Sequence, residues 1–287
     1  MDNRYSVIVS GITEPEERDN ISRLLKEQSV LPAEVYFAES EDVNTGINKA
    51  MRDVKTAFVW ILSGKALLEQ PDTAEKMLSS FSNPEVAAVY SGQRSGKKGS
   101  ISDAYQAAFF PEKQIVKEEK DIYFHGMETF FISNTSCMYR MADLKDLPPF
   151  EPMGLSFSEH VVAANLIHLG KKIVYEGNVT VKASHKLTPR TALHEGFDYG
   201  VLGKRDIQAF GYYVVYDVMW RTLSQTYRNA RRTACGYLVK NGAFYKVPGA
   251  LLICLCLNAG CKLGRRYHRL PAGINRALCS DKNFFVS

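Results

Sequence analysis

The feature that most constrains the fold is an alternation of short apolar segments with helical segments over the first 90 residues. Residues 5–10, 34–38, 57–62 and 86–90 are five or six residues long, largely apolar, and have the length of buried strands. Helical spacing of apolar residues fills the intervals at 14–28, 44–54 and 72–81. Strands that alternate with helices predict an α/β fold, with a mostly parallel sheet and right-handed crossovers. Continuous apolarity indicates strands that are covered on both faces.

After residue 90 the sequence predicts a less regular order of strands and helices. The polar segment 91–106 is rich in Gly, Ser and Lys and is expected to be a surface loop. Further elements are predicted as a strand with a turn at 130–140, a helix at 157–169, two short strands at 172–176 and 179–182, and helices from residue 191 onward. Gly211 and Pro248–Gly249 are the expected breaks among these helices. We therefore expect two parts, an α/β domain at 1–200 and a helical extension at 201–287.

Charge is distributed unevenly between these two parts. Residues 201–287 carry 14 Lys and Arg against 3 Asp and Glu, whereas residues 1–200 carry 22 against 28. A basic extension suggests an anionic partner, either nucleic acid or an anionic lipid surface. No nucleic-acid-binding motif accompanies the charge, so we expect no nucleic acid partner.

The cysteines and the start of the chain bear on location. The 6 cysteines show no C-x-x-C pair and no zinc-site spacing, so reduced thiols in a cytoplasmic protein are expected. The first residues lack the layout of a signal peptide. No uninterrupted apolar run reaches the roughly 20 residues of a spanning helix.

The ordered segments resemble a known family. YSVIVSGITEPEERDNISRLLKEQ, EVYFAES, NTGINKA and AFVWIL are similar to the nucleotide-binding half of family 2 glycosyltransferases. FISNTSCMYR, LSFSEHVVAANLIHLGKKIVYEGNVTVKASH and KLGRRYHRLPAGINRALCSDKNFF resemble the acceptor side and C-terminal part of its rhamnosyltransferase-like members. The resemblance implies a GT-A Rossmann-like domain with a helical C-terminal extension. It also implies sugar transfer from a nucleoside diphosphate sugar to a polysaccharide or a polyprenyl-linked glycan.

The resemblance places the family's metal-binding D-x-D turn at Ser63, Gly64 and Lys65. The family expectation is a Mg²⁺ or Mn²⁺ ion, but a hydroxyl and an ammonium do not form a carboxylate site for a hard cation. We therefore assign no metal ligand. Either Lys65 supplies positive charge to the donor diphosphate directly, or the turn has diverged and Lys65 is a solvated surface residue.

Other donor contacts follow from the same resemblance. Ser10 ends the first strand, where the family often has Thr or Ser. The aspartate that closes the family's second strand falls at Ala38, so that Glu39 either takes over its hydrogen bond or is an exposed acid. His185 matches the second histidine of a late His-x-His motif and either contacts a phosphate oxygen or lies on the surface.

The general base of the family lies in an E-D pair, which aligns with Glu159 and His160. His160 replaces the aspartate, and an imidazole can accept a hydroxyl proton near neutral pH. Glu159 is the second candidate for the base; a structural role is the alternative for His160. Ser133 and Asn134 retain the family's S-N pair near the acceptor, although the same pair can simply stabilise a turn.

The basic extension has two interpretations. Arginines with aromatic partners on a helix, followed by the apolar 251–257 segment, are typical of an amphipathic helix in a membrane interface, and the family is often peripheral to the inner face of the cell membrane. The alternative is a helix packed on the α/β body with solvated basic residues. Two functions follow for the whole chain: an active glycosyltransferase that does not use ordinary D-x-D metal catalysis, or an inactive GT-A protein that binds a glycan or a partner enzyme.

Overall fold

The computed structural model describes residues 4–40, 42–148, 150, 159–183, 186–205, 215–281 and 284–285, with the backbone alone for 215–227. The strands are β1 Tyr5–Ser10, β2 Glu34–Ala38, β3 Phe58–Ser63, β4 Ala66–Leu68, β5 Val86–Arg94, β6 Ile115–Lys117, β7 Ser136–Arg140 and β8 Lys172–Ala183. The helices are α1 Pro15–Lys26, α2 Val43–Met51, α3 Thr73–Ser79, α4 Ile101–Phe109, α5 Ile122–His125, α6 Met141–Leu144, α7 Glu159–His168, α8 Pro189–Arg205, α9 Val215–Lys240, α10 Val247–Gly264 and α11 Ala272–Leu278.

The strands form one sheet in the order β2-β1-β3-β7-β5-β8-β4, and β6 pairs with β8. The α/β class is confirmed, but the sheet is mixed rather than mostly parallel. β2, β1 and β3 are parallel neighbours, as are β5 and β8, whereas β7 lies antiparallel between β3 and β5. The short strands β4 and β6 are also antiparallel to β8. Helical periodicity indicates crossovers in the first half only, and so could not reveal the inserted β7.

Two hydrophobic cores cover the sheet, one on each face. Within β1, Tyr5, Val7 and Val9 face one core together with Ile21 of α1, while Ile8 faces the other core. This alternation is what a strand buried on both faces requires. The two cores fix the carboxyl ends of the strands, where the candidate site lies.

Three local predictions differ from the structure. The segment 91–106, expected to be a loop, contains the end of β5 and the start of α4, with Ser100 capping the helix by accepting a hydrogen bond from the Asp103 N–H. The two strands expected at 172–182 are one strand, β8. Pro248 does not break a helix but lies in the first turn of α10, where a missing N–H costs nothing.

Helices α8 and α10 pack at unusually close range because glycines face each other. A Cβ atom at Gly196 would lie 2.2 Å from the Leu257 carbonyl oxygen, and one at Gly260 would lie 2.1 Å from the Leu193 carbonyl oxygen. Gly200 and Gly264 repeat this arrangement one turn further along each helix. Small residues at four-residue spacing allow helix backbones to come this close. The predicted boundary at residue 200 falls inside α8.

Among the residues that the structure describes, one helical segment, Phe244–Gly264, is long and apolar enough to cross a membrane by length and composition alone. Its inner face packs on α8 as described above, with Ile253, Leu257 and Cys261 buried. Its outer face carries exposed leucines. The helix therefore has one partnered face and one apolar face toward solvent.

Candidate active site

Four of the predicted donor-binding residues lie together at the carboxyl ends of adjacent parallel strands. Ser10 is paired in register with Ala38 of β2 on one side and with Ser63 of β3 on the other. Glu39 and Lys65 follow directly after these strand ends. Ser10, Glu39, Ser63 and Lys65 are called the strand-end group below. In α/β sheets this edge is where ligands bind.

The turn after β3 is held against the end of β1. The Gly64 N–H donates to the Ser10 carbonyl oxygen at 2.7 Å, and the Lys65 N–H donates to Ser63 Oγ at 3.3 Å. A Cβ atom at Gly64 would lie 2.4 Å from Ile12 Cγ1, so this close approach requires glycine. Lys65 is exposed.

Each ionisable member of the strand-end group lies near an opposite charge: Glu39 near Arg18, and Lys65 near Glu17. Glu39, 77% exposed at its side chain, forms an ion pair with Arg18 at 2.9 Å. A hydrogen bond from the Thr13 backbone N–H and, more weakly, the nearby Lys65 ammonium lower the pKa of Glu17. Exposed pairs of this kind contribute little to stability, so these side chains can turn toward a charged ligand at small cost.

The strand-end group does not fit a Mg²⁺ or Mn²⁺ ion. Such ions take several carboxylate and other hard oxygen ligands, whereas the turn after β3 offers the Ser63 hydroxyl and the Lys65 ammonium, and the one carboxylate of the group, Glu39, is paired with Arg18. Nowhere in the described ranges do three His, Cys, Asp or Glu side chains come together in a way that could hold a metal ion.

A cavity of about 770 Å³ lies between the β5–β8 side of the sheet and the helices α4, α8, α9 and α10. Its aromatic lining residues are Tyr90, Tyr105, Phe109, Phe110, Phe131, Tyr175 and Tyr199. Its carboxylic acids are Asp121, Glu128, Glu159 and Glu195. This aromatic cavity has the size and the largely apolar walls of a small-molecule site.

The loop that carries the predicted acceptor residues joins the aromatic cavity to the strand-end group. Ser133 lines the cavity, where Gln93 Nε2 donates to its Oγ at 2.6 Å. Ser133 Oγ in turn donates to Thr135 Oγ1 at 3.2 Å. On the other side of the loop, the Ser63 N–H donates to the Thr135 carbonyl oxygen at 3.0 Å. Hydrogen bonds therefore connect the aromatic cavity to the strand-end group, from Ser133 through Thr135 to Ser63.

Asn134 and Glu159 meet behind this loop. Asn134 Oδ1 accepts a hydrogen bond from the Tyr139 hydroxyl at 2.7 Å, which fixes the side chain. The Asn134 backbone N–H donates to the Glu159 carboxylate. Burial raises the pKa of Glu159 to about 6, and hydrogen bonds from its own N–H and from that of Asn134 partly oppose the rise. A half-buried carboxyl group with this pKa is ionised at neutral pH and is basic enough to accept a proton.

The structure places His160 apart from Glu159. His160 is 0% exposed, and its ring centroid lies 5.3 Å from that of Phe131 and 5.7 Å from that of Tyr199. Burial and, less strongly, the nearby Lys117 lower the pKa of His160 to about 3. Consecutive helix residues point about 100° apart, so one of the two faces the cavity and the other faces the core. The predicted His185 lies outside the described residues.

Lys117 is a cavity residue that the sequence did not indicate. It is 8% exposed, and its Nζ donates to the carbonyl oxygens of Glu128 at 3.0 Å and Phe131 at 2.6 Å. The same ammonium lies 5.0 Å from the centroid of the Tyr90 ring. Burial lowers the pKa of Lys117 to about 7, with partial opposition from Glu128 and Asp121. Lys117 ends a strand of only three residues, and nothing in so short a sequence pattern predicts that its lysine is buried.

Two glutamines of the cavity were also missed, for a different reason. Gln93 and Gln106 fall in the segment 91–106, which its composition predicts to be a solvated loop. Because β5 extends to Arg94 and α4 begins at Ile101, both side chains become wall residues. The helical spacing of apolar residues in 101–109 was the sequence signal that could have predicted α4.

The chain has sequence relatives among curated proteins. It is 27% identical over 261 residues to the O-antigen chain rhamnosyltransferase RfbN of Salmonella typhimurium, covering 88% of this chain and 79% of that protein. The O-antigen chain rhamnosyltransferase WbaN of Salmonella anatum is 27% identical over 246 residues, covering 83% and 74%. The chain matches no protein-family model.

Solved structures share the fold at lower identity. The mannosyltransferase PcManGT of Pyrobaculum calidifontis, solved with GDP-Man and Mn²⁺, superposes with a TM-score of 0.59 at 15% identity, covering 91% of this chain and 87% of that one. Residues 1–349 of S. aureus TarS superpose with a TM-score of 0.50 at 10% identity, covering 92% of both chains. The chain therefore has the fold of the GT-A glycosyltransferases, and the curated proteins to which it is similar are named O-antigen rhamnosyltransferases.

Proposed function

We propose that this protein transfers a sugar, rhamnose by analogy with its named homologues, from a nucleoside diphosphate sugar to a hydroxyl group of an O-antigen-type glycan. One observation carries the proposal. Glu159, a half-buried carboxyl group with a pKa of about 6, opens onto a cavity of about 770 Å³. That cavity is joined through residues 133–135 to the strand-end group, where a GT-A fold binds its donor.

The chemistry requires one proton acceptor and one site for the leaving group. The acceptor hydroxyl lies in the aromatic cavity, and Glu159 takes its proton as the oxygen attacks the anomeric carbon of the donor sugar. The bond between this carbon and the diphosphate oxygen breaks, and the nucleoside diphosphate leaves. We assign the base to Glu159 rather than to His160, because a fully buried imidazole with a pKa of about 3 is a weak base.

The leaving diphosphate falls to the strand-end group. Lys65 supplies an ammonium group as a point charge, and the hydroxyl groups of Ser10 and Ser63 lie beside it as hydrogen-bond donors. Glu39 accepts from the ribose or the base after it parts from Arg18. His185 remains a prediction for a phosphate contact. No step is assigned to a metal ion, since the turn lacks the ligands for one.

The alternative, an inactive GT-A protein that binds a glycan or a partner enzyme, is not favoured. A protein without catalysis has no need for a carboxyl group that is kept ionisable near neutral pH between the two parts of the site. The homologues of this chain are named as transferases rather than as binding proteins.

Thermal unfolding with a panel of nucleoside diphosphates and nucleotide sugars tests the proposal. A ligand that binds only the folded state raises the unfolding temperature. We expect a rise with at least one nucleotide-linked sugar, the same rise in EDTA, and release of the nucleoside diphosphate when acceptor is added. No rise with any nucleotide sugar would contradict the proposed function.

The location of the protein is a second part of the proposal: it lies in the cytoplasm, peripheral to the inner face of the cell membrane. The outer face of α10 and the turn before it carry exposed Phe244, Tyr245, Leu252 and Leu255. Lys262 is exposed at the end of the same helix. Aromatic and leucine side chains with basic neighbours suit the interface of an anionic leaflet, where a polyprenyl-linked acceptor would be found.

Cosedimentation with lipid vesicles tests this location. We expect binding to vesicles that contain phosphatidylglycerol, and weaker binding to pure phosphatidylcholine. The double variant Leu252→Ser/Leu255→Ser should lose the binding, whereas Leu31→Ser, which changes an exposed leucine elsewhere, should keep it. Equal binding by both variants would contradict an interface formed by α10.

A further inference from the structure

Two buried polar atoms beside the aromatic cavity have no hydrogen-bond partner in the part of the chain that the structure describes. They are Gln106 Oε1 and Thr129 Oγ1. Both residues line the cavity, and their exposed fractions are only 6% and 1%. Because buried polar groups in folded proteins are nearly always paired, each of these atoms calls for a partner that the described chain does not supply.

Gln106 is presented by a rigid helix. The Tyr105 hydroxyl donates to the Ala250 carbonyl oxygen at 2.8 Å, and the Tyr237 hydroxyl donates to Asp103 Oδ2 at 2.6 Å, so α4 is fixed to both α9 and α10. The amide of Gln106 makes one long contact, from Nε2 to the Ala183 carbonyl oxygen at 3.5 Å. Its Oε1 makes no hydrogen bond to any residue that the structure describes.

The turn that contains Thr129 is also held in place, in this case by the buried Lys117. Lys117 Nζ donates to the carbonyl oxygens of Glu128 and Phe131, which lie on either side of Thr129. These two bonds clamp the turn Gly126–Phe130 against β6. The backbone on either side of Thr129 is therefore held in place at the cavity wall.

The surroundings of these two atoms indicate the chemistry of the missing partner. The walls are aromatic, and four carboxylic acids outnumber the two lysines of the lining, Lys113 and Lys117, which disfavours a phosphate group. A neutral sugar combines apolar C–H faces for the rings with hydroxyl groups that both donate and accept. A hydroxyl group can donate to Gln106 Oε1, which accepts only, and can pair in either direction with Thr129 Oγ1.

We propose that Gln106 and Thr129 are specificity-determining residues that each bind a hydroxyl group of the neutral acceptor sugar in the aromatic cavity. This inference rests on the proposed function and deepens it by naming the acceptor class and two of its contacts. Because both polar atoms are buried at the cavity wall, each contact requires the side chain to rotate toward the cavity. An acceptor that lacks either hydroxyl group leaves a buried polar atom unpaired and is rejected.

Binding of methyl glycosides to matched variants tests the inference. The probes are the methyl glycosides of rhamnose, mannose, galactose and glucose, observed by saturation-transfer NMR with the full-length protein. The variants are Gln106→Met and Thr129→Val, which remove a polar atom while nearly preserving the shape of the side chain. Gln70→Met is the control, because Gln70 Oε1 is also buried without a described partner but lies away from the cavity.

We expect the wild-type protein and Gln70→Met to bind at least one glycoside, and both cavity variants to bind it at least about tenfold more weakly. Thr129→Val should unfold at or above the wild-type temperature, because replacing an unpaired buried polar group is not destabilising. Gln106→Met should unfold close to the wild-type temperature, because the only hydrogen bond to a described residue that it loses is the long contact from Nε2 to the Ala183 carbonyl oxygen. That result separates a lost contact from a damaged fold.

Two results would overturn the inference. One is wild-type glycoside affinity in both cavity variants, which indicates an internal water molecule rather than a sugar as the partner. The other is no glycoside binding by the wild-type protein when a nucleotide sugar does bind. Failure of every nucleotide sugar to bind is a separate outcome, which overturns the proposed function. The two failures are distinguishable because the glycosides and the nucleotide sugars are measured in separate experiments.

Discussion

The strand-end group and the aromatic cavity lie on the two sides of residues 133–135 and are built differently. The first is an exposed turn whose charged members, Glu39 and Lys65, make only surface contacts. The second lies between the sheet and the four helices α4, α8, α9 and α10, and burial shifts the pKa values of Glu159 and Lys117 toward neutrality.

This difference shows where the chain can change without losing its fold. Few other side chains contact the exposed Lys65 and Glu39, so substitutions at these positions should leave the fold intact. The cavity residues are tied into hydrogen-bonded paths such as Gln93–Ser133–Thr135, and a change at one position leaves another buried group unpaired. Catalysis should therefore depend on the cavity strongly, and on the strand-end charges more weakly.

The largest effect is expected from Glu159→Gln. The amide cannot accept the acceptor proton, so kcat for nucleoside diphosphate release should fall by about 10²–10⁴. The unfolding temperature should not fall, because the amide oxygen can still accept from the Asn134 N–H and a buried charge is removed. Glu195→Gln, at another carboxyl group of the same cavity, is the matched control. An equal loss in both variants would mean that Glu159 is not the specific base.

A smaller effect is expected from Lys65→Ala. Loss of one charge-assisted contact to the diphosphate should weaken nucleotide-sugar binding by about tenfold, measured by titration calorimetry. The salt dependence of binding should also decrease. Lys55→Ala, which removes an exposed lysine just before the opposite end of β3, should bind the donor like the wild-type protein. If both variants bind equally well, Lys65 is a solvated surface residue and the diphosphate is stabilised elsewhere.

The smallest effect concerns stability and pH at Lys117. Its folded pKa of about 7 lies below the value of the unfolded chain, so between these two values the unfolded protein holds one more proton. Relative to Lys117→Met, the wild-type free energy of unfolding should therefore rise with pH above about 7, by on the order of 1 kcal/mol per pH unit. Urea unfolding of both proteins between about pH 7.5 and 9.5 measures the difference. A difference that does not change with pH would contradict a lysine that loses its proton in the folded state.

The sequence allowed the first half of the fold to be predicted closely because its signals are local. β1 and β2 begin and end where their apolar runs do, and the helices between the strands follow their periodicity. The antiparallel β7 and the continuous β8 depend on pairing between distant segments, which composition does not encode. The same distinction applies to the predicted boundary at residue 200, since α8 is completed by glycine contacts with α10.

From the order of the strands alone, the candidate site was predictable only where a residue follows a strand end. Ser10, Ser63 and Lys65 could be placed from strand order alone. The different environments of Glu159 and His160 could not, because the sequence does not specify how α7 is rotated about its axis. Lys117, Gln106 and Thr129 gained their environments from long-range packing of β6, α4 and the turn Gly126–Phe130, for which no short motif exists.

The central claim is that a carboxyl group of the aromatic cavity is the base of a glycosyl transfer. The most direct test of this claim is the pH dependence of nucleoside diphosphate release. The ionised form of Glu159 is the active one, so wild-type kcat/KM should fall by about tenfold per pH unit below about pH 6. In Glu159→Gln the residual rate should be flat through this range. A variant that keeps the wild-type rate, or that keeps the acid limb near pH 6, would contradict the claim.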